Sequence, residues 1–333
     1  MQLGEPTDGS SSASRLQANH LKIAMKLGEP TDGSSSAKSV IRVLVLFCCF
    51  FVAASEKVKP GDYPYFATLL LQSRPICGVT LFALNRALTS CYCLMSNPPK
   101  VFKVPHKLLD AKRLEVDSGN EGDRPTGVSH FGKVVKVHPK CEKTAKAMMY
   151  DFGVIELLEP FDLKPGYTEI FDILGQGIAV KDAIWHNSIC EALDFEVLAD
   201  GKHAGALKRK FMTVQRSEFC VDLFKYTIAW LNYIPDIQSC ATLRNEDEAV
   251  ICNKPEYGGP MICPQTKDSP VKVFVGVLSG RNSPYCKREY SHDRIPEIFA
   301  RADVAVEWIR AEFPDPTTTT TPGPSTTGPS STS

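Results

Sequence analysis

Residues 253–263 read NKPEYGGPMIC. The first half is made of residues that break regular structure: Pro255, which has no backbone N–H, and the glycine pair Gly258-Gly259. The second half, Pro260 to Cys263, is apolar and reads as a short strand. The same alternation of short apolar runs and turn residues extends in both directions. Phe66 to Gln72, Ile76 to Leu84, Val101 to Val104, Gly132 to Val137 and Phe152 to Leu158 read as strands, as do Lys208 to Val214 and Val271 to Ser279. Only the end of the body has helical spacing, with Ile298, Ala302, Val306, Ile309 and Phe313 three or four residues apart. Many short strands with one terminal helix predict an all-β barrel or sandwich.

The chain has 333 residues, 43% apolar and 23% charged, enough for a large core. Its 38 basic and 38 acidic side chains balance, which gives neither a nucleic acid nor an acidic membrane a surface to bind. Lys208-Arg209-Lys210 reads as a solvated strand edge.

Both ends differ from the body. Residues 1–37 contain a direct repeat: LGEPTDGSSSA runs from Leu3 to Ala13 and again from Leu27 to Ala37. Two copies rich in Gly, Ser, Asp and Pro cannot build a solenoid, so this leader is expected to be disordered, with translation starting at Met1 or at Met25. Residues 38–54 read as a signal peptide. Lys38 and Arg42 precede the uncharged run Val43 to Ala54, which is too short for the ~20 residues that a membrane span needs. Cleavage after Ala54 would leave a body from 55 to 313 with no membrane span, followed by residues 314–333, PDPTTTTTPGPSTTGPSSTS. That tail resembles an O-glycosylated, mucin-like stalk. The expected location is secreted and extracellular.

The cysteines agree with that compartment. Of the twelve, Cys48 and Cys49 leave with the signal peptide and ten remain, an even number suited to disulfides. A metal site is the rival for Cys91-Tyr92-Cys93, but no C-x-x-C pair accompanies it, and no metal is expected. His106, His130, His138, His186, His203 and His292 are scattered, without E-x-x-H or H-x-H spacing. Gly175-Gln176-Gly177 lacks the third glycine of a dinucleotide loop and reads as a turn, so no cofactor is expected.

Six segments, in order, carry a resemblance to the chymotrypsin-like (trypsin-family) serine proteases. YPYFATLL (63–70) is similar to that family's first strand, and ICGVTLFALNRALTSCYC (76–93) to its CGGSLI…VLTAAHC segment. YDFGVIELLEPF (150–161) is similar to DIALLKL, EYGGPMIC (256–263) to DSGGPLVC, and VFVGVLSG (273–280) to GIVSWG. IPEIFARADVAVEWIRAEF (295–313) resembles the terminal helix segment. The resemblance implies two six-stranded antiparallel β-barrels with a C-terminal α-helix. It also implies the disulfides Cys77–Cys93, Cys190–Cys263, Cys220–Cys240 and Cys252–Cys286. Cys91 and Cys141 are left over and can form a further bridge.

Under the same resemblance, the catalytic histidine falls on Tyr92, the orienting aspartate on Asp151 and the nucleophilic serine on Tyr257. A phenol titrating near ~10 cannot serve as the base at neutral pH. Tyr257 would need an activating partner, and the residue in that place is itself a tyrosine. The bland role for Asp151 is then to accept a hydrogen bond from Tyr92 or from backbone. The glycine that donates to the oxyanion falls on Pro255, and the loop from Cys252 is one residue longer. Losing nucleophile or base costs on the order of a million-fold in rate, and one oxyanion donor ~100- to 1,000-fold. The activation site is missing before Asp62, its aspartate partner is Glu256, and Ser279-Gly280-Arg281 and Val250 alter the substrate cleft. These changes imply a secreted, non-catalytic serine protease homologue that binds an extracellular protein, such as a protease or component of a proteolytic cascade, as cofactor, decoy or regulator in an immune or reproductive process. The alternatives are a weak hydrolase using Tyr257 and a matrix or surface module acting through its glycosylated tail.

Overall fold

The structure is a computed structural model that describes residues 58–59, 61–119, 127–175, 177–185, 189–197, 203–227, 232–244, 257–267, 269–279 and 296–314. The leader, the signal segment and residues 315–333 lie outside these ranges, as do Val250, Cys252, Pro255, Glu256, Gly280, Arg281 and Cys286. No described helix is long and apolar enough to cross a membrane.

Along the described chain run β1 (Phe66–Leu71), β2 (Arg74–Ala83), β3 (Arg86–Thr89), β4 (Phe102–Lys103), β5 (Leu114–Ser118), β6 (Val128–Val137), β7 (Glu142–Lys143), β8 (Met148–Met149) and β9 (Gly153–Leu157). After the helix α1 (Gly177–Trp185) come β10 (Ile189–Val197), β11 (His203–Val214), the helix α2 (Ser217–Asp222), β12 (Gln238–Leu243), β13 (Pro260–Pro264), β14 (Lys272–Leu278), β15 (Glu297–Arg301) and the helix α3 (Ala302–Glu312). Two closed antiparallel barrels result. Strands β1-β2-β3-β9-β6-β5 form the first and β10-β11-β12-β15-β14-β13 the second, with a small sheet β4-β7-β8 beside them. This is the trypsin-like architecture. Closure leaves neither barrel an open edge, which suits strands this short.

The first barrel is built from strands that are buried nearly throughout, with alternate side chains facing its interior. Leu69, Val79, Leu81, Val116 and Ile155 point inward and meet in its core. A second core runs from Phe152 and Val154 of the first barrel through Leu193, Val275 and Phe299 of the second, so the second barrel's apolar interior continues into the seam between the two. Glycines allow their closest approach. A Cβ on Gly78 of the first barrel would lie 3.0 Å from the Gly259 Cα. Gly258 has φ +86°, and a Cβ there would lie 2.2 Å from Thr89 Oγ1. The Gly-Gly pair of residues 253–263 is therefore a packing requirement where the second barrel abuts the first.

Four disulfides join described residues: Cys77–Cys93, Cys91–Cys141, Cys190–Cys263 and Cys220–Cys240. The expected Cys252–Cys286 bridge lies outside the described residues.

Three expectations need correction. Helix is not confined to the end. In α1, Val180 and Ala183 are buried three residues apart, a face too short for its periodicity to stand out in sequence. In α2 and the single π-turn that follows it (Leu223–Thr227), Cys220 and Phe224 are buried four residues apart. The terminal helix starts at Ala302, whereas Ile298 belongs to β15. Lys208-Arg209-Lys210 does lie on an edge, since it pairs with β10 alone while β12 meets β11 further on, at Met212 to Val214, but its side chains are engaged rather than solvated. Arg209 donates to the Tyr63 hydroxyl at 3.4 Å, and Lys210 Nζ stands 3.8 Å from the buried Glu297 carboxylate. Tyr63 in turn donates to Glu191 at 2.6 Å, and Lys272 donates to the same carboxylate at 2.7 Å. Charges at this site fix the chain before β1 to the second barrel.

Candidate functional site

The site grows from a 3-10 turn, Cys91–Leu94, that follows β3. Ser90 caps the turn, with its Oγ accepting from the Tyr92 N–H at 3.1 Å. Disulfides hold the residues on both sides of Tyr92: Cys93 to Cys77 of β2, and Cys91 to Cys141. A tyrosine between two bridged cysteines has little backbone freedom.

Asp151, just before β9, is fully buried. Its Oδ1 accepts from Ser90 Oγ at 2.6 Å and from the Tyr92 N–H at 3.1 Å, and its Oδ2 accepts from Ser279 Oγ at 2.7 Å. The Cys91 N–H is a further donor. Burial pushes the Asp151 carboxyl up, while these donors pull the other way. Among the described residues, the groups that hydrogen-bond Asp151 are two serine hydroxyls and backbone N–H groups; none is an imidazole or a phenol.

Tyr257 reaches the same place from the second barrel. Its carbonyl oxygen accepts from the Gly78 N–H at 3.1 Å, and its ring stacks on that of Tyr92, centroids 4.5 Å apart and planes 29° apart. The stack continues outward. Phe102 lies 6.4 Å from Tyr92, and His106 lies 5.8 Å from Phe102. Lys143 of β7 places its Nζ 4.4 Å from the centre of the Tyr92 ring.

Electrostatics keep these phenols protonated. Burial raises the Tyr257 hydroxyl well above the ordinary tyrosine value, and Tyr92 and Asp151 add to the rise. Tyr92 is raised by burial and then by Asp151. Burial lowers the Lys143 ammonium, with Asp151 opposing. No described group beside either hydroxyl is placed to remove its proton, which is what a tyrosine nucleophile needs at neutral pH.

The histidines stand elsewhere. His106 ends the aromatic row, and His130 lies against Phe161 and 3.6 Å from Glu159. His138 is buried, stacks on Tyr150 at 4.9 Å, and accepts from the Lys140 N–H at 3.1 Å. Burial and then Lys140 push its imidazole down to about 4, so it is neutral at physiological pH. His186 and His292 lie outside the described residues, and His203 is in β11. Cys91 Sγ, Cys141 Sγ and an Asp151 oxygen come within 4.8 Å of one another, but both sulfurs belong to the disulfide, so the cluster has no thiolate to offer a metal.

Sequence reasoning placed Tyr92, Asp151 and Tyr257 in one crevice, and the structure brings them together. It missed Ser90 and Ser279 as the donors to Asp151, and it missed Phe102, His106 and Lys143 altogether. Ser90 carried a usable signal, since a serine directly before a turn is a capping residue. Nothing local in the sequence links Lys143 to Tyr92, because their contact depends on the pairing of β4 with β7.

No protein-family profile and no curated protein matches the chain. Solved structures do. One of them is the crystal structure of the scabies mite inactivated protease paralogue S-D1, to which the chain is similar with a TM-score of 0.56 and 18% identity, over 78% of this chain and 95% of that one. At that identity the likeness establishes the shared fold.

Proposed function

We propose that the chain is a secreted, non-catalytic serine protease homologue that acts by binding another extracellular protein. In this reading Tyr92 stands where the base would be, Tyr257 where the nucleophile would be, and Asp151 is the remaining orienting carboxylate. The observation that carries it is the stacked phenol pair beside a buried aspartate whose hydrogen bonds are all structural. A hydrolase needs a base within hydrogen-bond reach of its nucleophile, and here the neighbour of Tyr257 is a second protonated phenol. Pro255, without an N–H to give an oxyanion, supports the same conclusion from the sequence. That the similar scabies mite protein is an inactivated protease paralogue agrees with this reading.

The remaining organisation is part of the proposal: a disordered leader (1–37), a signal peptide (38–54), a binding body (55–313) and a mucin-like tail (314–333). Disulfides suit an oxidising compartment. The partner class proposed is a protease or another component of an extracellular proteolytic cascade, met through the outer face of the body.

Affinity capture tests this directly. Residues 55–333 and a version lacking 314–333 are exposed to the native extracellular fluid, and retained proteins are identified by mass spectrometry. Both forms are expected to retain the same partner. Retention lost with the tail alone would move the function to the tail and refute binding through the body.

A further inference from the structure

We infer that Tyr92 and Tyr257 form an oxidative cross-linking site, at which a one-electron oxidant couples the two rings into a dityrosine that joins the barrels. The inference rests on geometry alone and stands whether or not the crevice has lost its catalysis.

Two phenols couple readily when their rings are already face to face, because the second bond-forming partner need not be found by diffusion. Tyr92 and Tyr257 meet this condition, with centroids 4.5 Å apart and planes 29° apart. Neither hydroxyl has a hydrogen-bond partner among the described residues, and both side chains are only partly buried, which leaves part of each phenol open to a one-electron oxidant at the surface. The rings are also held in place. Tyr92 lies between two bridged cysteines, and the Tyr257 backbone is pinned by Gly78 and by the left-handed Gly258. Among the described residues the other close tyrosine pair is Tyr63 and Tyr65, which meet edge-on at 6.2 Å with planes 83° apart, and Tyr63 donates its hydroxyl hydrogen bond to Glu191. Edge-on rings do not bring their ortho carbons together.

The chemistry balances with hydrogen peroxide as the terminal acceptor and a haem peroxidase as the catalyst. Each phenol loses one electron and its hydroxyl proton. A bond forms between one Cε of Tyr92 and one Cε of Tyr257. The two ring hydrogens displaced at those carbons return the phenolic protons as the rings regain aromaticity. The product has two hydrogens fewer than the starting chain, and the peroxide is reduced to two waters. Unlike the four disulfides, the new carbon–carbon bond survives thiol reductants.

The test uses the full chain with a haem peroxidase and limiting hydrogen peroxide, followed by separation of monomer from covalent oligomers. The expected result is dityrosine fluorescence in the monomer, a mass loss of two hydrogens, and a cross-linked peptide pair containing residues 92 and 257. Tyr257→Phe keeps the stacked ring and is expected to abolish the monomer signal. Tyr226→Phe, at a site 72% exposed, is expected to leave it intact while reducing coupling between chains. Three results would overturn the inference: no dityrosine in the monomer, a monomer cross-link mapping to another pair, or a monomer signal unaffected by Tyr257→Phe.

Discussion

Asp151→Ala is expected to lower the unfolding free energy by roughly 3–5 kcal/mol, because it removes a charged acceptor shared by several buried donors at once. Ser90 Oγ and Ser279 Oγ point at the carboxylate from the first and second barrels, 2.6 and 2.7 Å away. The hydroxyls can turn toward other acceptors after the substitution. The Tyr92 N–H keeps Ser90 Oγ as an acceptor, whereas the Cys91 N–H, fixed by the 3-10 turn and its disulfides, loses its own. Each buried donor left unpaired costs about 1–3 kcal/mol, against a total stability of ~5–15 kcal/mol. Asp151→Asn retains one acceptor oxygen and is expected to lose less. Urea unfolding of the three proteins checks this. Equal midpoints for wild type and Asp151→Ala would mean that Asp151 holds nothing together.

Removing the Cys190–Cys263 bridge with the pair Cys190→Ala and Cys263→Ala is expected to cost about 4 kcal/mol, as the crosslink closes a sequence separation of 73 residues. The position of the bridge gives the loss a local signature. Strands β10 and β13 close the second barrel through only two register pairs, Glu191 with Ile262 and Ala192 with Met261, and the disulfide continues that same ladder by one step. Opening the bridge therefore unzips the shortest seam of the second barrel. Hydrogen exchange is expected to accelerate at β10 and β13 while β1 and β2 of the first barrel keep their protection. Acceleration spread evenly over both barrels would contradict this placement.

What was legible in sequence follows from how each strand is buried. Strands such as Phe66–Leu71 and Lys272–Leu278 are apolar nearly throughout and stood out. Gln238–Leu243 did not, although all of it but Leu243 is buried, because its polar residues Gln238 and Thr242 are buried with specific partners. Gln238 donates to the Met148 carbonyl at 2.6 Å and accepts from the Ile234 N–H at 2.8 Å, and Gln215 donates to Thr242 Oγ1 at 2.7 Å. A composition rule sees polarity there and reads a loop. Strand Ile189–Val197 was hidden by its acidic residues, of which Glu191 is held by Tyr63 and Lys272.

The site divides in the same way. Tyr92 and Tyr257 could be placed in one crevice because each lies in a segment with its own recognisable surroundings: a cysteine-flanked turn and a glycine pair. The aromatic row and Lys143 could not, because they reach the crevice through two-residue strands whose pairing no local pattern announces. The expectation for Asp151, a hydrogen bond from Tyr92 or from backbone, is met by a backbone donor. The carboxylate accepts from Tyr92 through the backbone N–H, and the serine hydroxyls occupy the places a phenol would need.

The central claim is that this crevice contains no activated nucleophile. Intact-mass analysis after saturating treatment with a fluorophosphonate serine-hydrolase probe tests it most directly, with an active trypsin-like protease as positive control. The body is expected to keep its unmodified mass. A stoichiometric phosphonyl adduct, mapped to one side chain of the body and lost when that single hydroxyl is removed, would contradict it.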